Sequence, residues 1–288
     1  MDLDLTPEQL DVQNLCREFA AAEIAPHAEA WDANSEFPLD VVKKLGTLGL
    51  LGLPFPEKYG GAGADTVSYA LAVMEIGRGD ASVGITMAAH VSLGASPLYN
   101  FGTEAQKQRY LIPLARGEKL WAFGLTEPNA GSDAGATQTT ADLRGGKWVI
   151  NGTKTFITNA GTPISGGVTI TAVTSKNGSK PEISNIIVPQ ETAGYSRAKP
   201  YKKMGWRASD TRELSFQNAE VPEENLLGPR GEGFKQFLET LDGGRISVGA
   251  LSVGLAQACY DAAAKHAKER HQFGKAIARF QAVQFQLV

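Results

Sequence analysis

"GLTEPNAGSDAGA", residues 124–136, decides how this chain reads. It begins apolar, turns at Pro128, and then sets Gly131, Ser132, Asp133 and Gly135 on a backbone with little to stiffen it. A strand end running into such a bend exposes several backbone N–H groups, a nest that suits phosphate oxygens or the carbonyls of a flat heterocycle. Thr126 and Ser132 add hydroxyls able to donate or accept. An Asx-type surface turn without a ligand accounts for the same residues. Both readings stand until the flanking sequence is considered.

Upstream the pattern is helical. Thr6-Pro7-Glu8-Gln9 fits a capping box with proline at the first helical position, with Leu5 and Leu10 placed for a hydrophobic staple. Val12, Leu15, Cys16, Phe19 and Ala20 then recur at helical spacing until Pro26 interrupts. Further helices are expected at 39–48, 66–77 and 82–100, and one capped by Thr103 and Gln106 that ends near Leu114; Gly46, Gly49, Gly77 and Gly84 blur their boundaries. Downstream, "LWAFGLT", "KWVINGTKTFITNA", "VTITAVTS", "SNIIVPQ" and "RELSFQNAEV" are rich in β-branched and aromatic residues, and "RGGK" at 144–147 predicts a hairpin turn. The helical pattern returns at Gly233, and another helix starts at about Gln281. The expected class is therefore α+β and multidomain. An N-terminal all-α domain spans 1–117, a middle β-barrel or sandwich spans 118–228, and the start of a C-terminal helical bundle spans 229–288. The last helix is cut off in "QAVQFQLV" without a stop signal, which predicts a fragment of a longer protein.

Several function classes fall away. With 288 residues and a net charge of −3, nothing in the balance points to nucleic acid or an anionic membrane. "SRAKPYKKMGWR", 196–207, carries five basic residues and no acid; it reads as a solvated loop or as a contact for an anionic ligand. Cys16 and Cys259 read as small core residues of a reducing compartment. No basic leader opens the chain, and the apolar run 45–55 is broken by three glycines and a proline, so membrane insertion is not expected and a cytoplasmic location is the default. There is no P-loop, and "GPRGEGF" at 228–234 lacks the third glycine of a dinucleotide fingerprint, so it reads as a structural turn. The four histidines lack metal-ligand spacing, His266 and His271 falling on different faces of a predicted helix. No nucleophile elbow or reactive-cysteine context appears.

"GLTEPNAGSDAGA", followed by "VINGTKTFITNA" and "ERHQFG", with "MGWRASDTRELSFQNAEVPEENLLG" and "LDGGR" between them, resembles the acyl-CoA dehydrogenase family over essentially the whole chain. Within that family the chain looks most like the short-chain and short-branched-chain enzymes. The resemblance implies FAD as cofactor, with Phe123, Leu125, Thr126, Gly131 and Ser132 against it, Phe156 and Ile157 beside the flavin ring, and Thr158 near flavin N5. It implies acyl-CoA contacts from Ser132, Asp242, Gly243, Gly244 and Arg245. Arg270, Phe273 and Gln281 resemble residues that reach the FAD of a neighbouring subunit, implying a homodimer or homotetramer. The implied activity is α,β-desaturation of a short or branched acyl-CoA, as in fatty-acid β-oxidation, with electrons passed to an electron-transferring flavoprotein. The family's base is a Glu that would lie beyond Val288; in some members a Glu directly precedes the Arg of the D-x-x-R segment, where this chain has Gly244. No catalytic residue is therefore expected within the chain itself. Two alternatives stand beside this reading: a base-less module that binds FAD or acyl-CoA without turnover, and an oxygen-using acyl-CoA oxidase.

Overall fold

The computed structural model describes residues 4–175 and 181–288. Its first part is a helical layer: α1 (Pro7–Phe19), α2 (Ala28–Asn34), α3 (Leu39–Thr47), α4 (Thr66–Gly79), α5 (Ala81–Ala88), α6 (Ser96–Phe101), α7 (Glu104–Gln106) and α8 (Ile112–Ala115). Both expected capping boxes form, at Thr6 with Gln9 and at Thr103 with Gln106. Leu10, the expected partner of a staple, stays exposed.

Three helical stretches widen into a π turn: Ala20–Ile24, Ala89–Ala95 and Lys107–Leu111. Each ends two residues before a proline, at Pro26, Pro97 and Pro113. Proline has no N–H to donate, and its ring collides with the carbonyl one turn back. A wider turn is one way to take up that insult without ending the helix, which is why 81–101 and 104–115 run on where a proline alone argues for a break.

The middle part is one eight-stranded sheet. Its strands are β1 (Leu120–Gly124), β2 (Thr140–Arg144), β3 (Lys147–Thr158), β4 (Ser165–Ser175), β5 (Glu182–Pro189), β6 (Tyr195–Arg197), β7 (Thr211–Pro222) and β8 (Leu226–Leu227). The order is β6-β7-β3-β2-β4-β5-β8, with β1 lying parallel to β4 off this path. Gly145 and Gly146 both sit at positive φ in the β2–β3 turn, as a tight hairpin of the right twist requires. One face buries Trp148, Ile150, Ile170, Val188 and Phe216. A second core fills the helical layer and reaches Leu120, Trp121 and Ile187 of the sheet, which fuses the two parts.

The chain closes with α9 (Gly233–Glu269), a hairpin of β9 (His271–Gln272) and β10 (Lys275–Ala276), and α10 (Gln281–Leu287). The glycines that blur the sequence pattern have a packing reason. A Cβ on Gly77 or Gly84 would stand 2.4 or 2.5 Å from Leu251 Cδ1, so these two positions let α9 sit closely on α4 and α5. Two expectations are corrected. His271 does not continue the helix of His266: the chain leaves α9 at Glu269 and turns into β9, so the two histidines share no helix. Cys16 is buried, where desolvation pushes its thiol up to about 12, but Cys259 lies on the open face of α9 and is exposed rather than a core residue. Among the described residues no helix is long and apolar enough to cross a membrane.

Candidate functional site

The β3–β7 ladder slips between Lys154 and Ile157: Lys154 pairs with Leu214, and Ile157 with Arg212. Three residue steps on β3 therefore face two on β7, which is a bulge with one extra residue. Phe156 occupies it at φ 59. A phenylalanine in the left-handed region costs on the order of 1–3 kcal/mol and persists only where its surroundings impose it. Here the result is a change of face: Lys154, Thr155 and Ile157 are buried while the Phe156 ring stands 66% exposed. The ring leans on Tyr201, centroids 5.1 Å apart, and the Tyr201 hydroxyl lies 2.6 Å from Thr155 Oγ1.

Beside that bulge lies a cavity of about 230 Å³ lined by Phe123, Leu125, Thr126, Phe156, Ile157 and Thr158 of the sheet. Ala89 and Leu93 of the second π turn and Leu241 of α9 complete it. Six residues expected around one flat ligand thus line one pocket. The Thr126 and Thr158 hydroxyls have no hydrogen-bond partner among the described residues. Phe123 is stacked on Phe237, centroids 4.0 Å apart, which ties β1 to the first turns of α9. Ala89, Leu93 and Leu241 escape sequence reasoning because a Leu or Ala at helical spacing reads as core. The only available signal for Leu241 is its place beside Asp242.

The bend that opens the sequence is fixed from below. Glu127 and Ala130 exchange backbone hydrogen bonds of 3.0 and 3.1 Å across Pro128. The Glu127 carboxylate does not face the pocket. It accepts from Gln138 N (2.7 Å), Thr139 N (3.1 Å) and the buried Lys154 Nζ (2.7 Å). Lys154 also donates to Leu125 O (3.2 Å) and Thr171 Oγ1 (2.9 Å). Burial pulls the Lys154 ammonium down to about 8, with Glu127 resisting. Burial pushes Glu127 up, but Lys154 and the two N–H donors outweigh it and hold the carboxyl below its ordinary value. Gly131 and Ser132 sit exposed at the outer turn of the same loop.

Asp242 and Arg245 lie one turn apart on α9, both well exposed, and form an ion pair. Gly244, between them, faces inward: a Cβ there would stand 2.8 Å from Leu93 Cδ2, the side chain that walls the pocket. Arg270, Phe273 and Gln281 stand apart from this pocket, at and beyond the far end of α9. Phe273 is at the tip of the β9–β10 hairpin, φ 51, and 92% exposed. No pocket-lining side chain is a carboxylate. Groups of three or more metal-ligating side chains are absent among the described residues.

A helical layer, a sheet with an aromatic bulge and a long returning helix around one pocket define a class seen in other proteins. Residues 6–118, 122–219 and 231–288 match the acyl-CoA dehydrogenase N-terminal, middle and C-terminal domains in that order. The chain belongs to the acyl-CoA dehydrogenase family. It is 57% identical over 288 residues to the probable acyl-CoA dehydrogenase YngJ of Bacillus subtilis, covering all of this chain and 75% of that one. The structure of butyryl-CoA dehydrogenase from Megasphaera elsdenii superposes with a TM-score of 0.95 at 43% identity, over 100% of this chain and 76% of that one. That of an acyl-CoA dehydrogenase complexed with FAD from Bacillus anthracis gives 0.92 at 38%, over 99% and 48%.

Proposed function

We propose that the protein binds FAD in the Phe156–Thr158 pocket and desaturates a short or short-branched acyl-CoA between its α and β carbons. The observation that carries this is the strained, exposed Phe156 beside two unpartnered threonine hydroxyls. An aromatic ring held out of the sheet offers a flat face, and Thr126 and Thr158 offer donors at a polar ring edge, a set that fits an isoalloxazine. When bound, FAD supplies hydride acceptance at its N5. The protein's own part is to place and to exclude. Phe123, Leu125, Ile157 and Leu241 keep the pocket apolar, so the hydrogen bonds that polarise a thioester carbonyl act without competition from water.

Thr158, in the pocket lining, would donate toward N5. Gly131 and Ser132 present backbone N–H groups to the pyrophosphate, and Ser132 also meets the acyl-CoA. Asp242, Gly243, Gly244 and Arg245 line the path of the thioester along α9. Arg270, Phe273 and Gln281 serve the FAD of a second copy in a dimer or tetramer. A carboxylate from outside the present lining would take the α-proton, the β-hydrogen would leave with its electron pair as hydride to the bound cofactor, and an electron-transferring flavoprotein would be the electron acceptor downstream.

Anaerobic titration with butyryl-CoA of the FAD-loaded protein, with the segment that brings the carboxylate present, followed at the flavin absorption band, tests the reading. Bleaching by one equivalent supports it. An FAD-loaded protein whose colour no C4–C8 acyl-CoA changes would count against desaturation. Rapid peroxide formation in air at the turnover rate would move it to the oxidases.

A further inference from the structure

We infer that the buried Lys154–Glu127 pair is a positioning device that locks the Leu125–Thr126 edge of the flavin pocket to the Phe156 bulge; this rests on the FAD reading above. The pair joins the loop after β1 to β3, where one backbone hydrogen bond, Thr155 N to Thr126 O, also links them. Lys154 sits two residues before Phe156, fully buried, and its three donors are spent on Leu125 O, Glu127 Oε1 and Thr171 Oγ1. The ammonium therefore clasps the chain on both sides of Thr126. Glu127 spends its oxygens on that ammonium and on the N–H groups of Gln138 and Thr139, which fixes where the loop rejoins the sheet. One further bond, Thr155 N to Thr126 O at 2.9 Å, closes the ring between the two edges.

The geometry separates support from contact. Neither Lys154 nor Glu127 lines the pocket, yet each is bonded to a residue or a neighbour of a residue that does. A charged pair is a costly way to fill this interior, since apolar residues of similar size often hold a fold equally well. What apolar residues cannot do is aim. Only a donor with three directed bonds fixes the Leu125 carbonyl and the Glu127 carboxylate at once, and the Thr126 hydroxyl follows from both.

The test uses Lys154→Met and the double variant Lys154→Met/Glu127→Leu. The double variant leaves no unpaired buried charge and guards against simple unfolding. Three quantities are measured: thermal stability, FAD affinity by flavin fluorescence quenching, and amide hydrogen exchange of residues 125–127 and 138–139 in FAD-free protein. The expected result is that the double variant regains most of the stability lost by Lys154→Met but keeps FAD binding at least tenfold weaker than wild type. Exchange at 125–127 and 138–139 should also be at least tenfold faster in it, while the β4–β5 ladder stays protected. Recovery of both stability and FAD affinity in the double variant overturns the inference, as does unchanged exchange at those amides. If wild type itself takes up no FAD, the flavin reading fails, and the exchange measurement still decides on the clamp.

Discussion

Phe156 and Phe273 are two exposed phenylalanines in left-handed backbone, and they are held there in opposite ways. Phe156 is forced outward by a bulge whose neighbours are buried, bonded and stacked on Tyr201. Phe273 is the first turn residue of a two-residue hairpin, followed by Gly274 at φ 77, a position where Asn is the usual occupant. Its ring meets the edge of Phe280, centroids 6.1 Å apart, while the Lys275 ammonium sits over the Phe280 ring rather than over Phe273. The first ring completes a pocket within this chain. The second is 92% exposed, and its one ring contact is with Phe280. Strain in one place is built into a rigid wall; in the other it is local to a turn.

The largest effect should fall on the wall. Thr158→Ala removes the donor proposed for N5 and should slow flavin reduction by butyryl-CoA roughly a hundredfold, with FAD retention changed much less. Equal loss of both in stopped-flow and dialysis measurements would make Thr158 part of the fold only.

Next is the acid sensitivity of that wall. His90 lies in the π turn that carries Ala89 and Leu93, fully buried, with Nε2 3.1 Å from Leu114 O and Nδ1 accepting from Trp121 N at 3.2 Å. This geometry requires a neutral ring protonated on Nε2. Burial pushes its pKa down to about 4 from 6.5. Between those values the unfolded chain holds a proton that the folded chain does not, so this stabilisation is complete above 6.5 and is lost as pH falls toward 4. At pH 4.5 the loss should be about 2–3 kcal/mol. Urea unfolding of His90→Gln should show lower stability at pH 7 and a flatter decline on acidification. A decline as steep as wild type's would assign the acid sensitivity elsewhere.

Phe→Asn at each ring sharpens the contrast further. Asn tolerates left-handed backbone, so Phe273→Asn should leave stability unchanged or raise it by up to about 1 kcal/mol. Any loss of FAD from it should vanish on dilution to single chains. Phe156→Asn should weaken FAD binding at every protein concentration. Matching behaviour of the two variants in FAD titrations across a dilution series would erase the distinction.

The smallest effect on stability belongs to Asp242–Arg245. An exposed pair one turn apart contributes about 0.2–0.5 kcal/mol, so Arg245→Ala should hardly move the unfolding midpoint. It should raise KM for acyl-CoA; unchanged kinetics would remove Arg245 from the substrate path.

Legibility in the sequence followed the same divide. Caps, hairpin glycines and the switch from helical to alternating pattern are local signals, and the layers they announce are present. The proline-adjacent π turns were not legible, because a proline reads as a break and nothing local says that an extra residue upstream absorbs it. His271 was misplaced because the Glu269–Arg270 helix exit has neither glycine nor proline before it. The pairing of Glu127 with Lys154 was also hidden: the two stand 27 positions apart, and only the fold brings them to 2.7 Å. Phe156 was legible as a site residue through resemblance alone, since its bulge depends on the register of β7.

Under the proposed function, the Leu125–Thr126 and Phe156–Thr158 edges form one flavin-holding wall. Flavin fluorescence quenching, titrated with wild type and with Phe156→Asn under identical conditions, tests it most directly. Wild type should show saturable one-to-one quenching, and the variant at least tenfold weaker binding. No quenching by wild type, or equal affinity in the two proteins, would contradict it.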